Sequence, residues 1–158
     1  VISGYEVHLL QRTHDIYTKT GDRLERTWTI CHTGLVRHTM PHLLICSKSK
    51  RISDDQTLAS YLRMYEIDLA GFGSPIADDF ADKFAIFLTP KDIPVASRLL
   101  TPEFQAMLSI NFSSYDFELD GRDVYIYGYD QPLELVKLDR QLRGLVWLAG
   151  TIQQTKLA

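Results

Sequence analysis

All five histidines of this 158-residue chain (His8, His14, His32, His38 and His42) fall within its first 42 positions, with Cys31 and Cys46 among and beside them. Imidazole and thiolate are the usual zinc ligands. His38, His42 and Cys46 recur every four residues, which on an extended chain places them on one side. With Cys31 or His32 from a neighbouring strand they would complete a tetrahedral zinc site. The spacing matches no standard zinc finger, however, and Pro41 interrupts a regular register. The competing reading is scattered surface histidines around two small buried thiols, the usual condition of free cysteine. Cys31, His38, His42 and Cys46 are thus the metal-site candidates. Zinc is the one cofactor these residues suggest, and no cofactor is the favoured expectation.

Other clusters carry less. Asp78-Asp79-Phe80-Ala81-Asp82 has the DDxxD form that holds magnesium for diphosphate chemistry. That chemistry needs a large helical cavity and a second acidic cluster, and a short strand-rich chain supplies neither. A solvated acidic turn with Phe80 and Phe84 turned inward is expected instead. Asp116, Glu118 and Asp120-Gly121 fill the first positions of a calcium loop, but Tyr127 stands where a bidentate glutamate is required. The loop from Gly71 to Pro75 lacks the order and the lysine of a phosphate cradle. Ser74 precedes a proline rather than sitting in a strand-to-helix elbow. His14-Asp15 is a local dipeptide with no nucleophile assigned to it. No enzyme signature remains, and no catalytic residue is assigned.

These residues depend on their elements for position. Tyr5, Val7 and Leu9 alternate with polar residues as a half-buried strand does. His14 to Lys19 and Leu24 to Thr33 flank Thr20-Gly21-Asp22 as the arms of a hairpin. In the second arm Trp28, Ile30 and His32 share one face, with Thr27, Thr29 and Cys31 on the other. Leu43 to Cys46 reads as a buried strand. Asp54 begins a helix reaching about Tyr65, with Leu58, Tyr61, Leu62 and Tyr65 on its apolar stripe. A short strand at Glu66 to Leu69 and an apolar one at Phe84 to Leu88 follow. Asp92 and then Thr101-Pro102 start two helices that meet near Leu100. Asp120-Gly121 joins two strands as a tight hairpin. Pro132 opens a last helix running to about Gln154.

In that helix Leu135, Leu138, Leu142, Leu145, Ala149 and Ile152 follow heptad spacing over about two and a half heptads, short of a coiled coil. A helix covering a sheet is the plainer reading; Leu138, Leu145 and Trp147 are the candidates for a dimer or partner face. The order of elements predicts an α+β fold, mostly antiparallel sheet packed against three or four helices, with a long C-terminal helix.

Composition sets the frame. With 45% hydrophobic, 23% charged and 11% aromatic residues, the chain can bury the core of a single soluble domain over 1–158, with a possible subdivision near 49–66. Residues 1–50 carry seven Lys/Arg against four Asp/Glu, and the remainder ten against sixteen. A net charge of −3 argues against a nucleic-acid partner. No run of 18 uncharged apolar residues offers a membrane span.

Several short patterns together resemble a bacterial family of unknown function. They are Thr27-Trp28-Thr29-Ile30-Cys31 followed by Met40-Pro41-His42-Leu43-Leu44-Ile45, then Phe80 and Phe84 leading to Ile86. Ala96 with Leu99-Leu100-Thr101-Pro102 comes next, and last the stretch from Glu118 to Tyr127. Members often carry one or two N-terminal membrane spans ahead of this part. The resemblance therefore implies the soluble portion of a membrane-anchored protein, consistent with a chain that opens Val1-Ile2-Ser3-Gly4. It supplies no catalytic residue and does not include the histidines. The expectation is a non-catalytic binding or scaffolding domain on the cytosolic side, with a protein partner or self-association. The alternatives are a zinc module or enzyme built on the His/Cys-rich first sheet, and a lipid or small-ligand pocket between the Trp28/Ile30 sheet and the last helix.

Overall fold

The computed structural model describes residues 1–17, 20–50, 59, 62–129 and 134–155. The two strands expected on either side of Leu10 are one: β1 spans Val7–Tyr17 without interruption. Nothing between Leu10 and Thr13 is a turn former, and β2 (Arg23–Gly34) pairs with β1 along its whole length. Gly21, at φ 85°, supplies the left-handed residue of their connection. β3 covers Met40–Ser47, β4 Phe84–Phe87, β5 Asp116–Gly121 and β6 Asp123–Tyr129. The strands form one sheet in the order β1-β2-β6-β5-β3-β4, every neighbouring pair antiparallel.

Four helices complete the α+β fold among the described residues: α1 (Asp78–Lys83), α2 (Ile93–Leu99), α3 (Pro102–Asn111) and α4 (Leu135–Gln154). Thr101 caps α3 as expected, its Oγ1 accepting the Phe104 N–H at 3.2 Å. Asp92 behaves differently. It stands at the start of α2, but its carboxylate accepts the Thr89 hydroxyl instead of a backbone N–H. No helix of the described residues is long and apolar enough to cross a membrane.

Ala59, Leu62 and Met64 pack against part of one face of the sheet, and helices α1–α4 cover the other. Period-two alternation sends Cys31, Leu43, Ile45, Phe117, Val124 and Ile126 into this core, where Leu108, Leu145 and Leu148 meet them. Two glutamines are buried in this layer. Gln141 of α4 donates to the Thr29 and Ile126 carbonyls at 2.6 and 2.8 Å. Gln105 of α3 donates to the Pro75 and Leu100 carbonyls and accepts the Ala77 N–H. Close approach of α4 to the sheet depends on Gly144, where an added Cβ would lie 3.0 Å from both Ile126 and Phe112.

Several boundaries shift. The last hairpin turns on Gly121-Arg122 rather than Asp120-Gly121: Asp120 pairs with Asp123, and only Gly121 takes a positive φ, at 60°. A glycine at the first central position suits a tight hairpin, so Asp120 stays in the strand. Glu66 to Leu69 is not a strand; it contributes one bridge, Glu66 to Phe87, before a short 3-10 turn. Asp54 and Pro132, and most of the helix expected from Asp54, lie outside the described residues, as does much of the possible subdivision at 49–66. Tyr65 is neither helical nor part of a buried stripe: Arg63 is left-handed at φ 57°, and Tyr65 is 84% exposed.

Candidate functional site

The face of the sheet opposite α1–α4 gathers the aromatic and ionisable side chains. Pairing register lays one row straight across it: His8 opposite His32, His32 opposite Tyr125, Tyr125 opposite Glu118, Glu118 opposite Leu44. The His8 and His32 rings stack at 5.6 Å, and His32 stacks on Tyr125 at 4.6 Å. In the adjoining rows Trp28 meets Tyr127 and Tyr129 edge-on, at 6.1 and 5.7 Å. Cross-strand aromatic pairs of this kind contribute about 0.5–1.5 kcal/mol each beyond simple burial.

Three carboxylates sit beneath these rings, each with a partner. Glu118 is buried; its Oε2 accepts the Tyr127 hydroxyl, and its Oε1 lies 2.7 Å from His42 Nε2. A carboxylate only accepts, so Nε2 of His42 carries the proton in that bond. Asp116, also buried, accepts the Ser47 N–H at 2.6 Å and the Tyr129 hydroxyl. Asp123 faces His32 Nε2 at 2.7 Å. Burial first, and then the hydrogen bond and charge of Glu118, hold the Tyr127 phenol well above its ordinary range. Tyr129 is raised by burial and then by Asp116. Both phenols are therefore fixed donors at neutral pH.

The His42–Glu118 pair has the form of an oriented imidazole base. A base of that kind acts on a nucleophile or substrate proton within reach. Among the described residues, Glu118 is the one side chain that hydrogen-bonds His42. What the arrangement achieves is a rigid, polar and aromatic sheet face.

The proposed zinc ligands are not brought together. Cys31 lies in the core under the helices, where burial pushes its thiol up to about 12. His38 donates from Nε2 to the Gln153 carbonyl of α4 at 3.2 Å. Cys46 packs with Trp28 and Leu44 on the opposite face, the face of His42 and Glu118. The sheet itself separates the two pairs. The four-residue spacing fails because β3 starts only at Met40 and shifts register between Met40 and Leu43. No group of three or more His, Cys, Asp or Glu among the described residues could hold a metal ion.

Leu145 is fully buried and Leu138 packs against the same core, so both belong to the contact between α4 and the sheet. Trp147 is half-buried, stacked on Phe104 at 5.2 Å and Phe112 at 5.7 Å. The pocket expected between Trp28/Ile30 and the last helix has no room to exist, because Trp28 and Ile30 point away from α4. Asp79 pairs with Lys83 on α1, and Phe80 and Phe84 stack in the core. The sequence does contain a signal for the tyrosine–carboxylate face. Asp116, Glu118 and Asp120 alternate on one hairpin arm, and Tyr125, Tyr127 and Tyr129 alternate on the other. Compared with known proteins, the chain matches no family model, no curated protein and no solved structure at a significant level.

Proposed function

We propose that this chain is a non-catalytic binding domain that assembles by strand addition, its partner a second copy laid antiparallel along β1. The contrast between the two sheet edges carries the reading. β4 is four residues long and is bridged by Glu66, with the Ile67 N–H donating to the Ile86 carbonyl at 2.9 Å; Pro90 follows soon after. Short length, cover and proline are the devices that blunt a natural edge. Among the described residues β1 has none of these three. It runs eleven residues with no proline, no lysine and no break in its register with β2. Leu9 and Leu10, on its two faces, are 42% and 56% exposed. Such an edge is a template for another strand, and an antiparallel pair about a two-fold axis satisfies both copies at once.

The resemblance noted in the sequence supplies the setting: the soluble part of a membrane-anchored bacterial protein, facing the cytosol. A catalytic or zinc-dependent reading has less support, since its residues divide between the two faces of the sheet. Sedimentation velocity over a concentration series tests the proposal. The wild type should sediment as a dimer that dissociates on dilution. Leu10→Lys, which places a charge on an exposed edge position, should be monomeric with an unchanged circular dichroism spectrum. A wild type that stays monomeric across the series would sink the idea.

A further inference from the structure

On the helical side, α3 and α4 meet where Phe104 stacks on Trp147, and beside that contact the gap between them is a groove of about 600 Å³. Its floor is aromatic: the Phe112 and Trp147 rings stack at 5.7 Å. Its walls are aliphatic, from Met107 and Ile110 on α3 and Val136 on α4. Ile110 and Val136 are 76% and 75% exposed, which sets them among the most exposed large apolar side chains of the molecule. These exposed aliphatic side chains flank the stacked rings and give the groove an apolar lining. The volume falls within the range of roughly 300–1,000 Å³ typical of small-ligand sites.

Charge on the rim identifies the ligand further. Arg143 is held by Asp139 at 2.7 Å, and Lys137 by Glu134 at 3.3 Å. Arg140, which lines the groove between them, has no carboxylate partner among the described residues. An exposed guanidinium with no carboxylate partner among the described residues, set above an aromatic and aliphatic trough, complements an apolar body that ends in an anion. We propose that the α3–α4 groove binds an amphipathic monocarboxylate such as a medium-chain fatty acid. Its chain would lie over Phe112 and Trp147 between Ile110 and Val136, with its carboxylate on Arg140. This site is separate from the β1 edge, and either can stand without the other.

Trp147 makes the test direct. The chain has two tryptophans, and the other, Trp28, is buried on the far face of the sheet. Dodecanoate, kept below its micelle-forming concentration, should change the Trp147 fluorescence saturably, in the wild type and in a Trp28→Phe background. Dodecyltrimethylammonium, with the same chain and the opposite charge, should bind at least tenfold more weakly. Arg140→Gln should weaken dodecanoate about tenfold or more and leave the ammonium compound unaffected, as loss of a charge-assisted hydrogen bond predicts. Ile110→Asp should abolish binding of dodecanoate, with thermal unfolding of the free protein as the check that the variant is folded. Because Arg140 is exposed, Arg140→Gln decides the matter if Ile110→Asp does not fold. No saturable signal, equal affinity for the two charge types, or an unaltered affinity in Arg140→Gln would each overturn the proposal.

Discussion

At Glu118 one carboxylate serves two donors, the Tyr127 hydroxyl from β6 and the His42 imidazole from β3. An amide in its place can accept from one of them but turns an N–H₂ toward the other. Glu118→Gln should therefore destabilise the fold by about 1–3 kcal/mol, read from the urea midpoint. Tyr127→Phe alone removes a donor and strands a carboxylate oxygen. Combining it with Glu118→Leu removes both partners, and part of the loss should be recovered. If the effects of Tyr127→Phe and of Glu118→Leu alone simply added up to that of the double variant, the two side chains would not be coupled as their geometry implies.

Among elements, α4 carries two glycines with opposite expectations. Gly144→Ala places a Cβ 3.0 Å from Ile126 Cδ1 and from the Phe112 ring. Overpacking of that sort costs about 1–3 kcal/mol, against a helix-propensity gain of about 1 kcal/mol, so the net should be destabilising. At Gly150 the added methyl lies 3.7 Å from Tyr5 Oη, an ordinary contact. There the propensity gain should dominate, and Gly150→Ala should stabilise by about 0.5–1 kcal/mol. Thermal melts of the two variants give the signs directly.

The same helix marks what the sequence discloses. Its apolar stripe, the Thr101-Pro102 start of α3 and the glycine of the last hairpin are legible because each is set by residues a few positions apart. Gly144 is not, since its role depends on Phe112 and Ile126, brought together only by the packed sheet. The separation of Cys31 from Cys46 is hidden for a similar reason. Alternation shows that each strand has two faces, but long-range pairing decides which of them the helices cover. Gln105 and Gln141 read as surface residues by type, and only their buried carbonyl partners reveal otherwise.

For the molecule as a whole, the Cys31 thiol and four of the phenols lean toward their protonated forms. The Cys31 thiol is pushed from its ordinary 9.0 up to about 12 by burial. Tyr115 and Tyr125 are raised by burial, and Tyr127 and Tyr129 more strongly, by burial with their carboxylate neighbours. An acid whose folded pKa is raised keeps its full stabilising effect below the unfolded pKa. That effect is lost as pH climbs toward the folded value. The fold should hold its stability up to about pH 9 and then lose about 1.4 kcal/mol per pH unit from Cys31 alone. The phenols add to the loss above pH 10. Denaturant midpoints across this range should fall steadily, with less decline between pH 9 and 10 in Cys31→Ala. Phenolate absorbance from the four raised tyrosines should rise together with unfolding rather than before it.

Strand order also dictates a sequence of assembly. β1 and β2 form one half of the sheet, β3 and β4 the other, and neither half touches the other directly. The β5–β6 hairpin, latest of the strand pairs along the chain, wedges between them, β6 against β2 and β5 against β3. Until that keystone is inserted, two half-sheets stand with facing open edges. The first is held by a hairpin and the second by pairs such as Leu44 with Phe87, while pairings that unite them, such as Thr29 with Gly128, are more distant in sequence and slower to form. A chain emerging from its N-terminus must therefore wait, with β2 exposed, for the hairpin that locks it in place.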